Sequence, residues 1–263
     1  MIIIMISCNG NNVFSKNENG TKLELQTSSV QSPLQSDTLL NYIEQKVNNA
    51  FVKARISQSD SDLIALEQSL ISLYEKKKNS IIVYWYSYAC YYHSIHCLIV
   101  KDNKKSEKVL DEGIEALEGI DPMSSEHYAL LALMESFSIQ FAMGLRIPFI
   151  SSSVKNNGEK AMELDSLNLR AYYVLGSNDF YTPEQYGGGK KAEGFLKKAV
   201  RLNDQSVKNP FLPSWGKKQA YEMLIKLYIK KNRMDDAKLC FKQAIALFPS
   251  DYMINNLASQ LLK

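Results

Sequence analysis

Tyr221-Glu222-Met223-Leu224-Ile225-Lys226-Leu227-Tyr228 decides how this chain is read. Tyr221, Leu224, Ile225 and Tyr228 recur at intervals of three and four, the spacing of one face of an α-helix. A polar break follows at Lys231-Asn232-Arg233. Ala237, Phe241 and Ala244 then give a second helical stripe, which Pro249 ends. Two amphipathic helices joined by a short turn leave an apolar side bare. Such a unit is stable only when neighbours cover that side.

Working outward, the same spacing recurs from residue 37 onward and divides the chain into helix pairs over 37–78, 79–121, 124–166 and 167–203. The opening pair is entered through Pro210 and Pro213, and 251–262 reads as a final helix over the open end. In the first pair Leu40, Ile43, Val47, Ala50, Phe51 and Ala54 form one stripe. Leu63, Leu66, Leu70, Leu73 and Tyr74 form the next, with Ser59 or Asp60 placed to cap the second helix. The next three pairs open on Trp85-x2-Tyr88-Ala89-x2-Tyr92, Tyr128-x2-Leu131-Ala132-x2-Glu135 and Tyr172-x2-Leu175-Gly176-x2-Asp179. The third pair is irregular around Pro148 and Gly158. Lys101-Asp102-Asn103 breaks the second pair, whose first helix reads about a turn longer than usual.

This order of large, small and turn-forming residues resembles the tetratricopeptide repeat, W-x2-L-G-x2-Y, then A-x3-F, then a late Pro. The resemblance covers 37–263. It implies an all-α fold: a right-handed α-solenoid of about five tetratricopeptide-like helical hairpins plus a C-terminal capping helix. It also implies a non-catalytic scaffold whose partner is a protein or peptide. The small residues Ala89, Ala132 and Gly176 would let helix backbones approach, and Ile225 in that slot predicts a wider local crossing.

Composition agrees with long helices: the 263 residues include only 12 glycines and 7 prolines. A net charge of +3 is far from the basic excess of a nucleic-acid binder, so nucleic acid is set aside. No apolar run approaches the roughly 20 residues that span a bilayer.

The N-terminus reads as an address. Ile2 to Ile6 form an apolar run ending in Ser7-Cys8, which resembles the tail of a bacterial lipoprotein signal. The resemblance makes Cys8 the lipidated residue. Asn9, in place of an aspartate, points to an outer-membrane anchor facing the periplasm. The run is shorter than a usual signal core and lacks a basic n-region; a start further upstream would reconcile this. The alternative is an apolar end with no address and a cytoplasmic protein. Residues 9–36 are rich in Asn, Ser, Lys, Gln and Thr without periodic apolar positions. They read as a disordered tether reaching about 30 Å.

One stretch departs from plain packing, Phe180-Tyr181-Thr182-Pro183-Glu184-Gln185-Tyr186-Gly187-Gly188-Gly189-Lys190-Lys191. Pro183 stops a helix, and glycines before the next helix let backbone N–H groups converge on an anion. Lys190 adds charge, and Tyr181 and Tyr186 add flat apolar faces. The stretch is no nucleotide P-loop, because Lys190 is followed by lysine and Glu184 stands in the first glycine slot. It resembles a loop of helical-repeat lipoproteins that accompany periplasmic TRAP-type solute transporters. That likeness implies an alternative function, a small-solute-binding component of such a transporter. The competing structural reading is that proline stops, glycines turn and aromatics plug the loop onto the body. Lys226 and Lys230, one turn apart, resemble the lysines with which some repeats grip a peptide carboxylate. Tyr173 and Ser177 occupy comparable positions and complete a candidate groove.

Cys90, His93 and Cys97 share one helical face with His96 beside them. Three ligands on a straight helix splay along roughly 10 Å and cannot meet on one ion. The expectation is therefore burial among Tyr91, Tyr92 and Ile95, with no metal and no cofactor. His127 stands alone at a helix start. No H-E-x2-H, G-x-S-x-G or dinucleotide motif occurs in a fitting context, so no enzyme is expected.

Overall fold

A computed structural model describes residues 38–204, 209 and 211–261. Cys8 and the tether over 9–36 lie outside the described residues. Among the described residues all regular structure is helical: α1 (Ile43–Ser57), α2 (Ser61–Lys77), α3 (Ser80–Ile99), α4 (Asn103–Glu118), α5 (Ser125–Ser138), α6 (Arg146–Leu164), α7 (Leu169–Tyr181), α8 (Ala192–Arg201), α9 (Lys217–Lys230), α10 (Met234–Leu247), α11 (Tyr252–Asn256) and α12 (Ala258–Leu261). They fall into two compact units, one ending at Pro122 and the other beginning at Met123. No helix among the described residues is long and apolar enough to cross a membrane.

The first unit holds the hairpins α1–α2 and α3–α4. α3 packs against α1, α2 and α4, and every residue from Ile82 to Cys90 is buried. A helix apolar on all sides belongs in a core. Trp85 and Tyr88 meet edge to face with ring centroids 5.5 Å apart, and Tyr88 meets Tyr92 in the same way at 5.0 Å. Close approach of α3 to α4 is secured by small residues. The hydroxyl of Ser94 donates to the Ser106 carbonyl at 2.7 Å, and that of Ser106 donates back to the Ser94 carbonyl at 2.8 Å. The break between them is as the sequence reads it. Lys101 has φ +74°, and the Asp102 carboxylate caps α4 by accepting from the Lys105 N–H at 2.7 Å.

The cap of α2 is different. Asp60 holds the N-cap position, but its carboxylate accepts no α2 N–H. It turns instead toward α3 and α4. The Ser59 hydroxyl, the other cap foreseen, accepts from the Ser61 N–H at 3.4 Å.

The second unit holds α5–α6, α7–α8 and α9–α10. α5, α7 and α9 lie side by side, with α6 packed on α7 and α8 on α9. Two glycines set the spacing. A Cβ on Gly158 of α6 would lie 2.8 Å from the Leu175 side chain of α7. A Cβ on Gly176 of α7 would lie 2.8 Å from that of Leu196 on α8. Glycine inside a helix costs about 1 kcal/mol in propensity, and here it admits a buried leucine worth more than that. The irregularity foreseen around Pro148 is a helix start. Pro148 lies in the first turn of α6, where no intrahelical donor is lost. Glu135, standing where an aromatic was expected, accepts from the Ser153 hydroxyl at 2.6 Å and the Asn157 amide at 2.8 Å.

The helix pair that begins at Tyr221 in the apolar pattern forms the C-terminal core. Tyr221, Leu224, Ile225 and Tyr228 are buried with Ala237 and Ala244, and Phe241 packs against them. The final helix over 251–262 is corrected to two short ones, α11 and α12, with a break at Leu257. Asp251 caps the first by accepting from the Ile254 N–H at 3.0 Å. Ile254, Leu257 and Leu261 still enter the core, so the covering role falls to both pieces. His127 is not solitary. Its Nδ1 accepts from the Ser124 N–H at 3.0 Å, and the two residues cap α5 together.

Candidate functional site

The aromatic–glycine turn between α7 and α8 is built by local backbone chemistry. α7 ends at Tyr181 because Pro183 cannot continue it, and the Thr182 hydroxyl closes the last turn by donating to the Asn178 carbonyl at 2.7 Å. Glu184–Tyr186 make one 3₁₀ turn. Gly187 and Gly189 then take φ of +89° and +77°, a region that L side chains resist. Gly188 is needed for a different reason: a Cβ there would lie 2.0 Å from the Thr182 carbonyl oxygen.

The convergent N–H groups have a partner within the chain. Asp179 accepts from the Lys191 and Ala192 N–H groups at 2.8 and 2.7 Å through Oδ2, and its backbone carbonyl takes the Gly189 N–H at 2.8 Å. The carboxylate thus sits at the start of α8, where the helix dipole favours an anion. What the turn offers outward is side chains. Tyr181 is 65% exposed and Tyr186 74%, and Lys190 is exposed beside them.

Lys230 of α9 joins this corner. Its Nζ lies 5.1 Å from the centroid of the Phe180 ring, and the Phe180 and Tyr181 rings meet edge to face at 5.0 Å. Lys226 pairs with Glu222 one turn back on its own helix. The other groove candidates are engaged in packing. Tyr173 meets Trp215 edge to face at 6.2 Å, and Ser177 is only 8% exposed.

The start of α6 lies on the same edge, since the Ser151 hydroxyl donates to the Asn178 side-chain oxygen at 3.2 Å. Met143, Leu145 and Phe149, in and just before the first turn of α6, are exposed apolar side chains. Arg146 stands exposed among them. In sequence this segment shows only as an irregularity around Pro148; its signal is the run Met143 to Phe149, which carries four large apolar residues without helical spacing. Two surface depressions elsewhere, one along α2 and one along α4, are open stretches of helix surface. Neither touches Tyr186, where a solute reading would place an enclosure.

A second feature missed from sequence is fully internal. Arg170 of α7 donates from Nε and Nη2 to both carboxylate oxygens of Glu126 on α5, at 2.6 and 2.7 Å. Its Nη1 donates to the Trp215 carbonyl at 3.0 Å, and its guanidinium lies 5.8 Å from the Trp215 ring centroid. The arrangement ties α5, α7 and the entry to α9 together. Its members are 44 and 45 positions apart, beyond any motif spacing.

In the first unit, Cys90, His93, His96 and Cys97 are all buried. Burial pushes the Cys90 thiol well above its ordinary range. His93 does not turn into the α3 core. Its Nδ1 stands 2.9 Å from Glu67 Oε1 and its Nε2 3.0 Å from Asp60 Oδ2.

No protein-family model matches the chain, and no curated protein matches it. Solved structures do. A thermophilic TPR protein from Thermus thermophilus superposes with a TM-score of 0.57 at 16% identity, covering 82% of this chain and 100% of its own. The HusA haemophore from Porphyromonas gingivalis gives a TM-score of 0.51 at 20% identity, covering 76% of this chain and 96% of its own. Identities this low speak to fold. Together with the hairpins described above, they show a tetratricopeptide-like helical-repeat fold.

Proposed function

We propose that the chain is a non-catalytic scaffold that docks another protein through an extended segment on the apolar, basic edge of the second unit. The observation that carries the reading is the set of exposed apolar side chains at adjacent helix ends. Met143 and Leu145 lie just before α6 and Phe149 in its first turn, while Tyr181 ends α7 and Tyr186 follows it. Exposed apolar groups gathered on one edge are the usual mark of an interaction surface. Arg146, Lys190, Lys191 and Lys230 lie among them, with Glu184 the one acid of the turn. The complement is a segment that alternates carboxylates with large apolar side chains. A stack of hairpins suits this task, because it fixes successive side chains on a rigid frame.

An array of synthetic peptides probed with the purified full chain tests the reading. Acidic–apolar peptides are expected to be retained and to be released by salt. The double variant Lys190→Glu, Lys230→Glu is expected to weaken binding about tenfold or more without changing the helical circular-dichroism signal. Retention that ignores peptide charge, or that survives the charge reversal, would overturn the proposal.

The location we propose is the cell envelope, with lipid on Cys8 holding the protein to the outer membrane on its periplasmic side. The Ser7-Cys8 pair and the polar stretch after it support this. Growth with labelled palmitate is expected to label the parent and not Cys8→Ala, and an unlabelled parent would remove the anchor.

A further inference from the structure

We propose that Asp60, His93 and Cys97 form a mononuclear site for a zinc-class divalent transition ion in the first unit. The ligand atoms of the three side chains lie within 4.8 Å of one another. Carboxylate oxygen, imidazole nitrogen and thiolate sulfur are together a donor set for zinc, at bond lengths of about 2.0–2.3 Å. Tetrahedral placement at those lengths separates donor atoms by roughly 3.3–3.6 Å. Shifts of about an ångström in side chains would therefore close the site.

The topology removes the difficulty of ligands strung along one helix. His93 and Cys97 are at i and i+4 on α3 and share a face. Cys90, two turns back from Cys97, is not a member of the group. The third ligand comes from another hairpin. Asp60 stands at the N-cap of α2, where aspartate ordinarily binds the helix N–H groups, yet it makes no such bond and directs its carboxylate at His93.

Glu67 supplies an independent indication. With Nδ1–H of His93 donating to Glu67 Oε1 at 2.9 Å, the tautomer that leaves Nε2 as a ligand is fixed, and Nε2 faces Asp60. A carboxylate behind a ligating histidine is the usual outer arrangement of protein zinc sites. Three protein ligands leave one tetrahedral position for solvent. Entry passes Asp60 and Lys105, whose side chains are 24% and 20% exposed.

Around the site, Lys105 Nζ lies 2.6 Å from Asp60 Oδ2, and the two His93 nitrogens face Glu67 and Asp60. An ion bound between Asp60, His93 and Cys97 takes the place of the contacts on Asp60 Oδ2 and His93 Nε2 and leaves Glu67 on His93 Nδ1.

The test uses the full untagged chain, stripped with a chelator and titrated with Co(II). The expected result is one equivalent bound, with a sulfur-to-cobalt charge-transfer band in the near ultraviolet and the intense visible bands of tetrahedral cobalt, both abolished by Zn(II). Cys97→Ser should lose the charge-transfer band, whereas Cys90→Ser should keep it with unchanged stoichiometry. Glu67→Gln should keep the band but lower affinity about 10–100-fold. Far-ultraviolet circular dichroism on each variant confirms that it is folded. Absence of the band in the folded parent, or its persistence in Cys97→Ser, would overturn the site.

Discussion

The pair Glu126–Arg170 allows a quantitative test of how the second unit is held together. Arg170 is 0% exposed and Glu126 6%, so removing either partner strands a charge out of water. Glu126→Leu removes both carboxylate acceptors from the buried guanidinium, and Arg170→Met leaves a buried carboxylate. Breaking a buried pair costs about 3–5 kcal/mol, and Arg170→Met also forfeits the Trp215 hydrogen bond, worth about 1 kcal/mol. Replacing both charges with apolar side chains removes the desolvation problem along with the attraction. The double variant should therefore return to within about 1–2 kcal/mol of the parent. The chain has two tryptophans, Trp85 in the first unit and Trp215 in the second. A Trp85→Phe background makes fluorescence report on Trp215 alone. With a urea m-value of about 2 kcal/mol per molar, Glu126→Leu should lower the midpoint by about 1.5–2.5 M and Arg170→Met by about 2–3 M. Single shifts below about 0.5 M would refute the reasoning, as would a double variant no more stable than the sum of the singles.

Three further expectations rest on the same packing. Tyr228→Ala removes a buried ring that Arg233 covers with its guanidinium 4.6 Å from the centroid; a loss of about 3–5 kcal/mol should appear in the same urea titration. Gly188→Ala drives a methyl group into the Thr182 carbonyl, whereas Gly187→Ala meets open space at an unfavourable φ. Thermal melts should show a loss of about 1 kcal/mol for Gly187→Ala and a clearly larger one for Gly188→Ala. The Glu193 carboxyl is held below its ordinary pKa first by the Lys197 hydrogen bond and then, against burial, by Arg233. Its stabilisation is therefore present above the ordinary glutamate pKa of about 4.3 and lost as pH falls below it. Glu193→Gln should flatten that acid limb of the urea midpoint against pH, and an unchanged limb would remove the assignment.

What the sequence makes legible is whatever the backbone decides within a few residues. The interval between Tyr221, Leu224 and Tyr228 specifies a buried helix face, and the turn chemistry at Lys101-Asp102-Asn103 marks a helix break in the right place. The glycines of 187–189 announce a tight turn. Partners set by the fold are not legible. Asp60 reads as a cap from its position, but His93 is 33 residues away and draws the carboxylate off. Asp179 stands in a slot where an aromatic is expected, and its use is the start of α8, 12 and 13 residues later. Ser177 sits in register with the lysines of α9, but its burial depends on how tightly α7 is flanked, which helical spacing alone does not encode. Glu126 and Arg170 each read as ordinary helix-surface charges until tertiary packing encloses them.

Gly158 and Leu175 have a consequence for recombination. They belong to successive hairpins, one supplying a notch and the other the peg that fills it. A graft that joined a foreign hairpin between them would inherit half of that joint, and a β-carbon in the notch would push the new module outward. Chimaeras made from this chain should therefore place their crossovers where notch and peg travel as a set.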